Sequence, residues 1–249
     1  PDVIFLHCSG YKLNDSNFGN YFGKMYQPRY LSGLVAGSIT KSNKIGYVAA
    51  FPIPEVIRGI NAFAEGVKET NPNATVEVVW TFTWFGPEAE TQAANALLET
   101  GADVLTQHQD STATGIAAEA AGAKWISYNT AYGKDAAPEA FVTAPVWDWG
   151  PYYVSVVESI ADGSFVPEAY WGGMETGLVS LYELSGDVPR TVEQLVNERT
   201  MEILSGAFDP PIVEDKFVDN VMEASDDILA QATKLRDKIY TKSVQIINS

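Results

Sequence analysis

The sequence predicts an α/β protein in which a mostly parallel sheet is covered by helices on both faces. Short apolar runs alternate with stretches of helical periodicity along the chain. The connections between them are short, and prolines and glycines stand where helices would begin and end. Because parallel neighbours need a crossover connection, usually a helix, this alternation favours parallel strands.

Periodicity and end signals predict the helices. Between residues 54 and 71, apolar side chains recur at spacings of three and four, which places them on one helix face. Pro87 fits the first turn of the next helix and Gly101 fits its C-terminal cap, while Gly122 ends the helix after that. The predicted helices are, in order, a segment from about Gln27 and residues 54–71, 86–100, 111–121, 149–160, 192–205 and 216–247.

The apolar runs between these helices predict the strands. Residues 44–50, Lys-Ile-Gly-Tyr-Val-Ala-Ala, have the length and composition of a buried strand. Residues 177–184 indicate a strand pair or hairpin. The other predicted strands cover, in order, residues 3–6, 74–81, 102–106, 124–128 and 140–146.

Composition argues against several classes of partner. The 249 residues include 16 Lys and Arg against 32 Asp and Glu, a formal net charge of −16. Such a chain lacks the basic surface that binds nucleic acid or anionic lipid. A single cysteine, Cys8, excludes an internal disulfide, and no apolar run has the length of a membrane span. The length fits one to two globular domains.

The chain offers little for catalysis or metal binding. Its two histidines are His7 and His108, and no nucleophile elbow, dinucleotide fingerprint or phosphate-binding loop is present. His108-Gln109-Asp110 supplies two metal ligands, which are too few alone. Gly33 and Gly37 are interpreted as positions of close helix packing. We therefore expect no enzymatic activity, no cofactor and no metal.

Polar and aromatic residues follow the carboxyl ends of the predicted strands. Ligands of parallel α/β sheets bind beyond these ends, so the loops after residues 81, 106 and 128 are the candidate site. Aromatic faces can stack on a flat ring while amides and a carboxylate hydrogen-bond to its edge. The candidate ligand-binding residues are Trp84, Phe85, Gln109, Asp110, Asn129 and Trp149.

Most of these candidates also have a purely structural interpretation. Trp84 and Phe85 could belong to a packed core. Asp110 stands where a helix N-cap is expected, and Asn129 is a common turn residue. Trp149 could pack between two lobes. Both interpretations stay open for each residue at this stage.

Residues 41–63, KSNKIGYVAAFPIPEVIRGINAF, resemble the basic membrane protein family of solute-binding proteins. These proteins serve ABC importers, and characterised members bind purine nucleosides or related compounds. The resemblance covers about residues 1–208. It implies a type I periplasmic-binding-protein-like fold of two lobes that close on the ligand, an ABC permease as partner, and a periplasmic or cell-surface location. Supporting motifs are residues 7–11, 21–26, 29–33, 149–153 and 170–173.

The resemblance also implies a division of the chain. Pro1 aligns inside the family's first lobe, so we expect that lobe to be incomplete in this sequence and no leader to be included. The domain limits that follow are 1–43 for part of the first lobe, 44–140 for the second lobe, 141–211 for crossover segments and 212–249 for a helical tail.

The predicted ligand is a purine base or nucleoside. The family often carries aspartates in the loop after the fifth strand, whereas residues 128–131 read Tyr-Asn-Thr-Ala, which favours a free base such as adenine. Trp84 and Phe85, which follow the predicted strand 74–81, would stack on the ring. Gln109 and Asp110 would hydrogen-bond to its edge, and Asn129 and Trp149 would close the pocket.

Two other functions stay open. A ligand-sensing receptor or regulator domain can use the same two-lobe fold, since fold alone does not determine function. A purine nucleoside hydrolase is the less favoured alternative. It would need Asp110 and His108 as acid or base.

Overall fold

A computed structural model describes residues 3–224 of the chain. The strands are β1 Phe5–Cys8, β2 Phe18–Gly23, β3 Lys44–Ala49, β4 Thr75–Trp80, β5 Val104–Gln107, β6 Lys124–Ile126, β7 Phe141–Thr143, β8 Pro145–Trp147, β9 Ala169–Gly172, β10 Val179–Leu181 and β11 Val221–Glu223. The helices are α1 Tyr26–Ile39, α2 Pro54–Thr70, α3 Pro87–Glu99, α4 Ala113–Ala120, α5 Gly133–Ala136, α6 Gly150–Asp162 and α7 Arg190–Ser205, and a 3₁₀ turn covers Met174–Thr176.

Six parallel strands form the larger sheet in the order β11-β4-β3-β5-β6-β7. Ile45 of the central strand β3 pairs with Val76 of β4 on one side and with Val104 of β5 on the other. β3 is buried from Ile45 to Ala49, as expected of a parallel strand covered on both faces. The predicted α/β class with a mostly parallel sheet is confirmed.

Helices cover both faces of this sheet because neighbouring side chains of a strand point to opposite sides. Tyr47 of β3 packs in a core cluster with Phe63 of α2 and residues of α1. The next residue, Val48, packs in a second cluster with Leu97 of α3 and Trp125 of β6. Alternating side chains of one strand therefore join the two halves of the core.

A smaller parallel sheet has the order β1-β2-β9, and an antiparallel pair joins β10 to β8. Sequence reasoning missed β2, because Phe-Gly-Asn-Tyr-Phe-Gly has weak strand propensity. Gly19 permits the close approach of the segment that leads into β9, since a Cβ there would lie 2.9 Å from the Glu168 carbonyl oxygen. The predicted strand 140–146 is two strands, β7 and β8. The predicted hairpin at 177–184 supplies the single strand β10.

The predicted C-terminal helix 216–247 is wrong over its first nine residues. Val221–Glu223 forms strand β11, which extends the larger sheet beside β4, and residues 225–249 lie outside the described residues. The preceding segment packs on the sheet: Phe217 stacks on Trp80 with ring centroids 6.2 Å apart. The Asn61 side chain donates to two backbone carbonyls and accepts from the Val218 N–H. These tertiary contacts, which no local pattern reveals, decide the conformation.

Within residues 3–224, none of the helices has both the length and the apolar character that crossing a bilayer requires.

Glycines bring α1 and α2 into backbone contact, as predicted for Gly33 and Gly37. A Cβ on Gly33 would lie 2.0 Å from the Phe63 carbonyl oxygen, and a Cβ on Gly66 would lie 2.1 Å from the Tyr30 carbonyl oxygen. Both obstacles are backbone atoms of a packed helix, which cannot move independently. The two helices can therefore approach this closely only without side chains at these positions.

We expect Gly33→Ala to lower the free energy of unfolding by about 1–3 kcal/mol, because the added methyl group forces α1 away from α2. Gly186→Ala is the matched control, since a Cβ at Gly186 meets no atom within 4 Å. Urea denaturation of both variants checks this. Equal stability of the two variants would contradict the backbone-contact explanation.

Candidate functional site

A cavity of about 900 Å³ lies between the carboxyl edge of the larger sheet and the smaller parallel sheet. This volume is typical of a small-molecule site. The larger sheet contributes the segments after β3, β4, β5 and β6, and the smaller sheet contributes the end of β1 and residues along β2 and β9. Parallel strands bring their carboxyl ends to one edge, so distant parts of the sequence share the cavity. Its wall includes Cys8, Asn20, Glu55, Arg58, Trp84, His108, Asp110, Tyr128, Asn129, Trp147, Trp149 and Trp171.

Four of the six predicted ligand-binding residues line this cavity. Trp84, Asp110, Asn129 and Trp149 come from three separate loops and the N-terminus of α6, and the fold brings them to one wall. Trp84 is 42% exposed, so part of its indole is accessible. The other two predicted residues, Gln109 and Phe85, are not part of the lining.

Gln109 and Phe85 do not lie on the cavity wall. Gln109 is fully buried: its amide nitrogen donates to the Thr81 hydroxyl at 2.8 Å, and its amide oxygen accepts from the His108 backbone N–H. The side chain therefore supports the loop from within. Phe85 is 66% exposed and is not part of the cavity lining. Adjacent residues leave the loop in different directions, which the sequence motif alone could not distinguish.

Asn129 joins two loops of the cavity wall through its side chain. Its amide nitrogen donates to Asp110 Oδ1, and its Oδ1 accepts from Trp147 Nε1 at 3.0 Å. Asp110 is not a helix N-cap, since α4 begins at Ala113 without a side-chain cap. Asn129 has φ = 68°, a left-handed conformation that asparagine tolerates better than most residues. Both its backbone and its amide are therefore suited to this position.

Burial raises the pKa of the Asp110 carboxyl group, and the hydrogen bond from Asn129 and the nearby His108 partly oppose that effect. Among the described residues, the Asp110 carboxyl group accepts one side-chain hydrogen bond, from Asn129, so its hydrogen-bonding capacity is only partly used by the protein. A ligand donor could occupy the remainder.

The aromatic part of the wall is a stack. Trp147 and Trp149 lie nearly parallel with centroids 4.6 Å apart, and Tyr153 continues the stack beyond Trp149 at 6.2 Å. Tyr21 meets Trp149 edge-on at 5.3 Å. Trp149 therefore both lines the cavity and packs between the smaller sheet and α6, so its structural interpretation applies alongside the predicted one.

Sequence reasoning missed a buried chain of polar groups behind the cavity. Arg29 Nη2 lies 3.4 Å from His108 Nδ1, and His108 Nε2 lies 3.2 Å from Glu55 Oε2. An arginine can only donate, so Nδ1 is the acceptor and Nε2 carries the hydrogen that points to Glu55. The Arg29 guanidinium also lies 3.9 Å from the Tyr128 ring centroid. We call Arg29, His108 and Glu55 together the Arg29–His108–Glu55 relay.

Burial lowers the pKa of His108 and keeps the imidazole neutral, although Glu55 acts in the opposite direction. For Glu55, burial acts to raise the pKa, but the interaction with His108 and the charges of Arg58 and Arg29 outweigh it and lower the pKa. The relay therefore pairs a buried cation with a carboxylate through a neutral ring. A helix-start signal marks Glu55 in the sequence, but nothing local connects Arg29 in the middle of α1 with the other two.

Among the described residues, no group of three or more His, Cys, Asp and Glu side chains is arranged to hold a metal ion.

We expect Asn129→Gly to lower the free energy of unfolding by about 1–3 kcal/mol, because Trp147 Nε1 and the Asp110 carboxylate both lose a partner. Asn129→Ala should cost roughly 1–2 kcal/mol more, since alanine disfavours positive φ. Urea denaturation of both variants measures the difference. Identical stability would show that the backbone conformation is not strained at this position.

Comparisons with known proteins agree with this fold. The chain matches the Bmp family, described as ABC transporter substrate-binding protein PnrA-like, over residues 1–207. It is 44% identical over 209 residues to a putative ABC transporter glucose-binding protein of Haloferax volcanii, covering 84% of this chain and 53% of that protein. It is 38% identical over 210 residues to a purine-binding protein of Brucella abortus, covering 84% and 59%. The chain thus spans a little over half the length of these relatives.

Solved structures show the same architecture. An ABC transporter solute-binding protein from Conexibacter woesei is 27% identical with a TM-score of 0.69, covering 85% of this chain and 72% of that one. A transcriptional activator of the comK gene from Bacillus halodurans is 23% identical with a TM-score of 0.76, covering 85% and 73%, and shows the fold alone. The predicted periplasmic-binding-protein-like fold is confirmed. The chain belongs to the Bmp family of PnrA-like ABC transporter substrate-binding proteins.

Proposed function

We propose that this protein is the solute-binding component of an ABC importer and that it binds a purine base or nucleoside, adenine above all, in the cavity between its two sheets. One observation carries the proposal. Trp84, whose indole is partly exposed, and Asp110 line the same cavity, and their loops are joined by a hydrogen bond from the Asp110 backbone N–H to the Trp84 carbonyl oxygen at 3.0 Å. A flat base stacked on this indole would present its edge to that carboxylate.

The chemistry of the wall fits an uncharged, hydrogen-bonding ring. Trp84 supplies a stacking surface, and the Phe51 ring supports it with its centroid 5.3 Å away. Carboxylates accept hydrogen bonds from ring N–H and exocyclic amino groups. Base–aromatic stacking tolerates different bases, so discrimination would come from the polar groups at the ring edge. The purine-binding relative of Brucella abortus supports this ligand class.

A glucose-like sugar is the second candidate ligand. The Haloferax volcanii relative is named a putative glucose-binding protein and is the more similar of the two relatives described above. Apolar ring faces of sugars also pack on tryptophan, and carboxylates accept hydrogen bonds from their hydroxyl groups. The two candidates differ in the area that stacks, which is larger for a purine.

The proposal includes no chemical step. The protein would close around its ligand and bind to an ABC permease on the outer side of the membrane. The ligand would pass to the permease chemically unchanged. The expected roles of Asn129 and Trp149 follow from their contacts: they hold the wall in place around Asp110.

Native mass spectrometry of the purified protein, followed by denaturing release, tests the ligand class directly. We expect a purine in stoichiometric amount. Release of a hexose instead would replace the purine by the second candidate. If the protein is empty, calorimetric titration with adenine, adenosine and D-glucose makes the same distinction, and no binding of any of them would contradict the proposal. Conversion of adenosine to free adenine by the pure protein would establish the hydrolase alternative.

We expect Trp84→Ala to weaken adenine binding by about 1–3 kcal/mol, because a stacking surface is lost. Trp84→Phe should retain part of the affinity. Phe85→Ala is the matched control, since Phe85 is the neighbouring aromatic residue but lies off the cavity wall. Isothermal titration calorimetry measures all three variants. A loss of affinity in Phe85→Ala with none in Trp84→Ala would reverse the assignment.

A further inference from the structure

We infer that Glu55 is a ligand-contacting residue that determines specificity: its carboxylate, held from behind by buried Arg29 through His108, accepts a hydrogen bond from an uncharged ring ligand and disfavours anions. The inference deepens the proposed function and rests on it in one respect, that the cavity takes a small ring ligand. The ligand class it selects presents an N–H or O–H donor and carries no negative charge. Glu55 is not among the candidate ligand-binding residues predicted from the sequence.

The geometry leaves one oxygen of Glu55 available. His108 Nε2 donates to Oε2, and among residues 3–224 no other group donates to Oε1. The Glu55 side chain is 23% exposed and forms part of the cavity wall. The carboxylate is therefore anchored by one oxygen and presents the other to a ligand. Such an anchored acceptor costs little conformational entropy on binding.

The buried end of the relay is a cation that needs a negative charge nearby. Arg29 is fully buried, and its Nε and Nη1 atoms have no hydrogen-bond partner among the described residues. A buried cation is stable only near compensating charge. His108 connects it to Glu55, which supplies that charge at the cavity wall. Arg29 is thus a positioning residue and does not touch the ligand.

The other charges of the cavity reinforce the preference for uncharged ligands. Asp110 is a second carboxylate on the same wall. The lining also includes the cation Arg58, but its guanidinium already pairs with Glu214 and lies 5.2 Å from the Trp171 ring centroid. A phosphate group would meet two carboxylates and an arginine that is already engaged. We therefore expect a nucleoside monophosphate to bind far less well than the free base.

The relay can be tested without any ligand, because the chain has only two histidines. In the ¹⁵N-histidine-labelled full chain, with His7→Asn to assign the signals, His108 should be the neutral Nε2–H tautomer at pH 7. The titration midpoint of His108, which gives its pKa, should lie below the ordinary value of about 6.5. The titratable and charged groups facing His108 are Arg29 of α1, Tyr47 of β3, Glu55 of α2, Asp110 after β5 and Tyr128 after β6.

Two variants should move this midpoint in opposite directions. Arg29→Met should raise the pKa of His108, because the arginine charge lowers it, and Glu55→Gln should lower it further, because the carboxylate raises it. A purely structural role would not give shifts of opposite sign. If Arg29→Met does not fold, the direction of the His108 pKa shift in Glu55→Gln alone tests the relay. A protonated His108 at pH 7, an Nδ1–H tautomer, or a Glu55→Gln shift in the other direction overturns the relay.

Binding of adenine, adenosine 5′-monophosphate and D-glucose tests the ligand contact. We expect Glu55→Gln to lower the affinity for the ligand that the wild type binds by roughly 10- to 100-fold, because a charged hydrogen-bond acceptor is lost. Glu65→Gln is the matched control on the same helix, since Glu65 does not line the cavity. The monophosphate should bind wild type on the order of 100-fold more weakly than adenine, and Glu55→Gln should narrow that difference.

The outcomes separate this inference from the proposed function. Adenine binding that is equal in wild type and Glu55→Gln overturns the role of Glu55 and leaves the purine proposal intact. Glucose binding without adenine binding overturns the purine proposal, and Glu55→Gln is then judged on glucose by the same criterion. Monophosphate binding as tight as adenine binding overturns the exclusion of anions. If no probe binds, both the ligand contact and the proposed function fail, and the histidine spectrum alone judges the relay.

Discussion

The parallel alignment of all six strands in the larger sheet is the constraint on which the site depends. Each strand delivers its carboxyl end to the same edge, so residues after β3, β4, β5 and β6 become neighbours although tens of residues separate them in the chain. The smaller sheet is also parallel and lines the same cavity with residues of its three strands. A cavity lined from both sides follows from topology, and side-chain chemistry then decides what it can hold.

Parallel pairing in turn requires helices on both faces, and the closest of these contacts lies behind the site. Gly33 and Gly66 let α1 and α2 meet backbone to backbone. This contact fixes α1, which carries Arg29 to the rear of the cavity, and α2, which carries Glu55 to its wall. The buried cation of α1 and the carboxylate of α2 both contact His108. Packing and electrostatics are therefore linked through the same pair of helices.

The fold shared with solute-binding proteins and with a transcriptional activator shows why function must be argued from the cavity. In the proposed ligand site, Trp84 would stack on a flat ring, and Glu55 and Asp110 together would disfavour anions. The stack of Trp147, Trp149 and Tyr153 is mainly a structural partition between the smaller sheet and α6. Family membership supplies the class of protein, and the particular side chains on the wall supply the expected ligand chemistry.

The sequence by itself determined the α/β class, most element positions and the loops that line the cavity, because hydrophobic periodicity and the proline and glycine signals are local properties of the chain. Four of the six candidate residues lie on the cavity wall, and three of them are in loops that follow strands of the larger sheet. Only the tertiary structure decided that Gln109 turns inward, that Val221–Glu223 is a strand at the sheet edge, and that Arg29 meets His108 and Glu55. Each of these depends on contacts between residues far apart in the chain, which leave no periodic or motif signal.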